Sequence, residues 1–224
     1  MVWQTYDYYF EPTAAYFGAK KGSAPIRIQW NPVTGNVEVV NNNASDQPGL
    51  TAYAEIVNCD GTKVFENNVA LDSAEDTTTP VFALSFDEPN LTDTYFIRLR
   101  LTRGEELLAD NFYWEGKEAG NYKQLLQLPE VKLKADTRIS MEDGEWKAAV
   151  TLENDTQTPA LMIRLNVKGA RSGESILPVF YEDNYFSLLP GESKTMTVTF
   201  SDADTSGEKP AVSAEGFNVG YSVI

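Results

Sequence analysis

The chain has 224 residues, 42% of them hydrophobic, enough for one large β domain or two smaller ones with cores of their own. Its 33 acidic against 18 basic residues give a formal charge of -15, a balance that repels nucleic acid and anionic membranes. One cysteine excludes a disulfide framework, the absence of histidine excludes His-based acid–base chemistry and His-ligated metals, and no apolar run approaches the ~20 residues of a membrane span.

The first predicted element is unusual for a chain end, which is ordinarily polar and frayed. "VWQTYDYYFEPTAAYFGAKK", positions 2–21, carries Trp3, Tyr6, Tyr8, Tyr9, Phe10, Tyr16 and Phe17. It is no signal peptide: its apolar residues are interrupted by Asp7 and Glu11, and the basic pair Lys20 and Lys21 stands at the wrong end. Pro12 suits a first helical position and the two lysines a helix C-terminus, so a short helix is expected over "TAAYFGAKK". So short a helix is marginal alone in water, and the aromatic stretch needs a body to lie against. The candidates are the following domain near Trp30, or another copy of the chain in a self-association through residues 3–17.

From about position 25 the period is two, the mark of half-buried antiparallel strands. "IRIQW", "NVEVVNN", "LTAYAEIVNC", "TKVFE", "PVFALSF", "TYFIRLRLT" and "ELLADNFYW" follow one another with Pro and Gly at the joints, which predicts one sandwich. In "YFIRLRL", Tyr95, Ile97, Leu99 and Leu101 share the core face, while Phe96, Arg98 and Arg100 are expected to look mostly into solvent. The pattern pauses at "EGKEAGNYKQ", 115–124, where a domain boundary is expected. "VKLKADTRI", "EWKAAVTLEN", "ALMIRLNVK", "YFSLL", "SKTMTVTF" and "VSAEGFNV" then build a second sandwich, in which Pro190 and Gly191 of "LLPGES" fit a type II turn. The fold expected is all-β: two tandem immunoglobulin-like β-sandwiches, 22–118 and 119–224, preceded by a short aromatic linker or helix, 1–21. Trp114 and Trp146, each in an alternating strand, are expected to be largely buried.

The strings "WQTYDYYFEPTAAYFGAKK", "SAPIRIQW", "GLTAYAEIVNCDG", "FIRLRL", "DNFYW", "ILPVFYEDNYFSLLPGESKTMTV" and "EGFN" run in order over nearly the whole chain. Together they resemble the C-terminal part of glycoside hydrolase family 2, in the group of exo-β-D-glucosaminidases, β-mannosidases and mannosylglycoprotein endo-β-mannosidases. The resemblance implies a jelly-roll domain, a first Ig-like domain and a catalytic (β/α)₈ barrel ahead of two further sandwiches, of which this chain would be the last two. On that reading the opening segment is the exit from the barrel, the chain is a fragment starting at a cloning methionine, and the parent enzyme is exported to reach extracellular glycans.

Retaining hydrolysis needs two carboxyl groups ~5 to 5.5 Å apart on a rigid scaffold. The acid/base that the resemblance implies is a Glu preceded by Asn, and no Asn-Glu dipeptide occurs in the sequence. Asp72/Glu75/Asp76, Glu142/Asp143/Glu145 and Glu182/Asp183 fall in predicted turns as solvated charge. "DADTSG", 202–207, looks like the front of a calcium loop, but Ser213 stands where the bidentate Glu belongs, so neither metal nor cofactor is expected. In "VFYEDNYFSLL", Phe180, Tyr181, Tyr185 and Phe186 stand beside Glu182, Asp183 and Asn184, rings that can stack on a pyranose with groups that can bond its hydroxyls, and Tyr181, Asp183, Asn184 and Tyr185 are the candidates for sugar or interdomain contact. Contact with the barrel or core packing explains them more economically. Three functions are therefore open: a non-catalytic pair bracing its parent's catalytic barrel, a stand-alone module binding polysaccharide, and an extracellular adhesin with no enzyme parent, which the opening aromatic segment weakens.

Overall fold

A computed structural model describes residues 4–224; Trp3 lies outside the described residues. The chain separates into two compact units, Ala19–Leu128 and a discontinuous one made of the opening segment through Gly18 with Pro129–Ile224. The division falls inside the one α-helix of the described residues, α1 (Ala14–Gly22). That helix begins later than Pro12 suggested, because Pro12 is paired with Tyr6 across a hairpin instead of opening the first helical turn.

In the first unit β1 (Ile26–Trp30), β2 (Asn36–Asn41) and β5 (Thr77–Ala83) form one sheet in the order β1-β2-β5. Facing it, β3 (Gln47–Asn58), β4 (Lys63–Ser73), β6 (Thr94–Arg103) and β7 (Glu106–Gly116) form a second in the order β4-β3-β6-β7. All pairs are antiparallel. Alternation along β3 and β6 sends Ala52, Ala54 and Ile56 with Ile97, Leu99 and Leu101 into a core closed by Ile28, Val37 and Val39. Gly104 begins the two-residue loop between β6 and β7 with φ 57, a conformation that a side chain would resist.

The outer face of β6 is not the solvent face that its alternation suggested. Phe96 is 0% and Arg98 5% exposed. Phe96 stacks on Phe112 with ring centroids 5.4 Å apart, and the Arg98 guanidinium lies 4.9 Å above that same ring while pairing with Asp110 at 3.3 Å. Aromatic contact thus covers the ring, and a carboxylate satisfies the charge. Trp114 is only half-buried, because Tyr113 takes the inward position and turns its neighbour to this outer face beside Phe96. Residues 119–128, expected in the second domain, belong to this first unit. Their 3-10 turn Lys123–Gln127 buries Leu125, and the Gln124 side chain accepts the Thr94 N–H at 2.9 Å.

The second unit has β8 (Lys134–Glu142), β9 (Glu145–Glu153), β11 (Phe180–Tyr181) and β13 (Ser193–Ser201) in the order β11-β13-β9-β8. Opposite stand β10 (Ala160–Gly169), β12 (Phe186–Leu188), β14 (Pro210–Glu215) and β15 (Ser222–Val223), in the order β12-β10-β14-β15. Val150, Leu152, Ile163, Leu165, Met196 and Val198 lie at the centre of its core. Two turns follow sequence chemistry. Asp143 and Gly144, φ 51 and 79, close the β8–β9 hairpin, and Gly191, φ 78, sits in a turn whose Glu192 N–H bonds the Leu189 carbonyl at 3.0 Å. Trp146 points inward but lies next to the hairpin, at the rim of the core. It is half-buried, stacking on Phe200 and donating its indole N–H to Asp202 at 2.7 Å.

Candidate functional site

The opening segment forms a hairpin on the second unit, away from the Trp30 site expected for it. Trp30 is occupied within its own sandwich by Phe86 and Tyr113, at 5.5 and 6.0 Å between rings. The hairpin is local in origin. Asp7 accepts the N–H groups of Tyr9 and Glu11 on one carboxylate oxygen, at 2.8 and 3.0 Å, and its carbonyl accepts Phe10 N–H at 3.2 Å. Thr13 N–H closes the base onto the Thr5 carbonyl at 2.9 Å. Phe10 is left with φ 65, a left-handed conformation that glycine or asparagine adopts without cost and a bulky residue does not.

Two contacts fasten this hairpin to the sandwich. Glu11 forms an ion pair with Arg164, on the exposed side of β10. Phe17, 3% exposed, enters the hydrophobic core and meets the Tyr185 ring at 6.1 Å between centroids. Between hairpin and sandwich an apolar cavity of about 450 Å³ remains. One wall is Tyr6, Phe10, Pro12, Tyr16 and Phe17; the other is the stretch Pro178, Val179, Phe180 and Tyr181. The rim is open, with Tyr6 53%, Phe10 65% and Phe180 68% exposed.

The four residues singled out as sugar contacts are placed differently. Tyr181 is buried, its hydroxyl reaching the backbone of Val167, and that burial holds its pKa well above the usual phenol range. Asp183 is buried too, paired with Lys194, so it is not the solvated charge expected of a turn. The Asn184 side chain accepts the Leu165 N–H at 2.7 Å and returns a bond to the Leu165 carbonyl at 3.1 Å, doing for β10 what a neighbouring strand would do. Tyr185 is half-buried against the core, with the Arg164 guanidinium 5.9 Å over its ring. These side chains hold the sandwich together; the exposed ring of the stretch is Phe180, which the sequence reading grouped with the other aromatics without singling it out. Its signal was its place in β11, where alternation with the inward Tyr181 turns it outward.

Other motifs are structural in the same way. In "EGFN", Gly216 lies so close to β10 that an added Cβ would stand 2.7 Å from the Leu161 carbonyl oxygen. Asn218 accepts the Leu161 N–H at 2.9 Å and donates to the carbonyls of Pro129 and Pro159. "DADTSG" is a 3-10 turn, Asp202–Thr205, with Ser201 capping it and Asp202 engaged by Trp146.

Comparison with known proteins accounts for both sandwiches. Residues 34–117 match the family model described as a mannosidase Ig/CBM-like domain, and residues 111–219 the one described as an exo-β-D-glucosaminidase Ig-fold domain. The exo-β-D-glucosaminidase of Streptomyces avermitilis is 32% identical over 250 residues, in an alignment covering 99% of this chain and 27% of that enzyme. A mannosylglycoprotein endo-β-mannosidase of Lilium longiflorum is 24% identical over 290 residues, covering 99% of this chain and 30% of its own length. The crystal structure of the Amycolatopsis orientalis exo-chitosanase CsxA superposes with a TM-score of 0.89 at 29% identity, over 99% of this chain and 29% of that one. The fold and these matches define a tandem pair of immunoglobulin-like domains of the kind carried by family 2 glycoside hydrolases. Within that family the chain belongs to the C-terminal region of the exo-β-D-glucosaminidase and mannosidase group. It spans less than a third of the length of these relatives.

Proposed function

We propose that the two sandwiches are the non-catalytic C-terminal pair of an exo-acting β-glycosidase of the glucosaminidase or mannosidase type, and that they brace its catalytic barrel. The observation that carries this reading is the tandem match itself: two Ig-type family models in succession, inside relatives more than three times as long. Bracing is a physical task. An active site works only while its groups stay within ~0.5 Å of their productive geometry, and rigid bodies packed on a barrel restrict the motions that would spoil it. A sandwich with a closed core and antiparallel ladders is such a body.

The test is direct. The purified chain is expected to release no p-nitrophenol from p-nitrophenyl β-D-glucosaminide or β-D-mannoside above a buffer blank. Release that rises in proportion to chain concentration overturns the reading. The CBM-like description of residues 34–117 favours a second role, in which this sandwich also touches polysaccharide. Affinity electrophoresis on chitosan and mannan separates the two: retardation supports sugar binding, whereas unretarded migration leaves bracing alone.

A further inference from the structure

We propose that the outer edge of β8 is a self-recognition surface, through which two copies of the chain join strand to strand across a twofold axis at Thr137. This is independent of the bracing role proposed above, and either can fail without the other.

A sheet edge presents unpaired N–H and C=O groups, and proteins ordinarily blunt it with short strands, proline or bulges. Of the edge strands that end the four sheets, all but β8 are treated so. β1 is five residues long, and β11, β12 and β15 are two or three. β5 carries Pro80 and a register shift, and β4 and β7 run beside register shifts of their own. β8 has nine residues in unbroken register with β9, no proline, and every residue but Thr137 exposed.

The hairpin decides which backbone groups face outward. Asp143 and Gly144 are a two-residue turn with both φ positive, the type I′ pattern, so Glu142 and Glu145 form a hydrogen-bonded pair. Even positions of β8 therefore spend their backbone groups on β9. Ala135, Thr137, Ile139 and Met141 turn theirs to the free edge.

The order of charges then chooses the occupant. Lys132, just ahead of the strand, and Lys134, Asp136, Arg138, Ser140 and Glu142 alternate with the apolar row. Pairing β8 antiparallel with its own copy about Thr137 sets Asp136 opposite Arg138 of the second copy and Lys132 opposite its Glu142, each twice by symmetry. Moving the axis to Arg138 brings two guanidinium groups face to face. Moving it to Asp136 does the same to two carboxylates and puts Lys134 against Arg138. The register about Thr137 opposes no like charges. The formal charge of -15 on each copy resists association at long range, but at physiological ionic strength it is screened beyond ~8 Å, while the opposed pairs are in contact.

The inner face agrees with this register. Ile139 and Met141 lie on the core side, paired with Ala148 and Trp146 of β9, yet are 36% and 52% exposed. Opposite them come Ala135 and Leu133 of the second copy, which continue the apolar face. The Thr137 hydroxyl is buried with no hydrogen-bond partner among the described residues. At the axis it meets its own counterpart, and a cross-strand Thr–Thr bond gives both a partner.

Sedimentation equilibrium of the full chain at physiological ionic strength tests the proposal. Wild type is expected to show a reversible monomer–dimer equilibrium at micromolar concentrations. Arg138→Asp opposes carboxylates across the axis and is expected to weaken the dimer at least ~10-fold. Asp136→Arg combined with Arg138→Asp exchanges the signs and is expected to restore it. Thr137→Pro removes an edge N–H without breaking the β9 ladder and is expected to abolish the dimer. Melting temperatures report that the variants are folded; if the proline variant is not, the charge variants decide alone, since the Asp136 and Arg138 side chains are 63% and 83% exposed. A wild type that stays monomeric overturns the proposal. So does a dimer that Arg138→Asp leaves intact, which assigns association to another surface such as residues 3–17, and so does a loss that the charge exchange fails to restore.

Discussion

Cys59 and Asn184 show how far single side chains determine behaviour here. Cys59 is buried, with its own N–H bonded to Thr92, and burial followed by the nearby Asp60 carboxylate pushes its thiol up to about 11. Since the folded pKa lies above the ordinary thiol value, the stability that the neutral thiol contributes is complete below the ordinary range and is lost as pH rises towards 11. Native chain is accordingly expected to resist iodoacetamide at pH 8 and to react in guanidinium, and Cys59→Ala to flatten the alkaline decline in stability. Rapid native alkylation would contradict this placement. Asn184 makes the opposite kind of contribution. Replacing it by alanine strands the Leu165 N–H and carbonyl in the core, at a cost of about 2 to 4 kcal/mol. Urea denaturation measures that loss; a change below ~0.5 kcal/mol would return Asn184 to the list of ligand-facing groups.

The opening segment is the element whose role the structure changes most. Because Phe17 lies in the core of the second sandwich, Phe17→Ala is expected to destabilise that unit by about 3 to 5 kcal/mol. The first unit should not be affected. Indole fluorescence can distinguish the two, since Trp146 belongs to the second unit and Trp30 and Trp114 to the first. Loss of the Trp30 and Trp114 transition in Phe17→Ala would contradict the assignment. For the same reason, deleting residues 2–20 is expected to weaken the second sandwich, not to leave it untouched.

These elements also show what the sequence could reveal. Strand period, the Pro190-Gly191 turn and the inward row Ile97, Leu99, Leu101 were legible because each depends on neighbours two or three positions away. The strings of the opening segment and of "ILPVFYEDNYFSLLPGESKTMTV" likewise pointed to the right family. The Glu11–Arg164 pair joins positions 153 apart, and no local period reports such a contact. Phe10 in a left-handed turn breaks the rule that would have placed glycine or asparagine there. Half-burial of Trp114 and Trp146 was illegible for a related reason: composition favours covering an indole, but facing and rim position decide how far it is covered. The candidate site was therefore read in part, its aromatic content correctly and its place beside Trp30 wrongly.

Taken as one chain, the two sandwiches have the character of a support. Each has its own closed core, so each can hold its shape while presenting a surface. A ligand or partner that binds only the folded form of an enzyme raises its stability by RT ln(1 + [L]/Kd), about 2.7 kcal/mol at a hundredfold excess over Kd. Bracing therefore makes a measurable demand on the catalytic domain. The most direct measurement is the half-life of glycosidase activity at a denaturing temperature for the catalytic portion of the Streptomyces enzyme, alone and with saturating amounts of this chain. A brace predicts a half-life several times longer with the chain present. A half-life unchanged by the wild-type chain would contradict it.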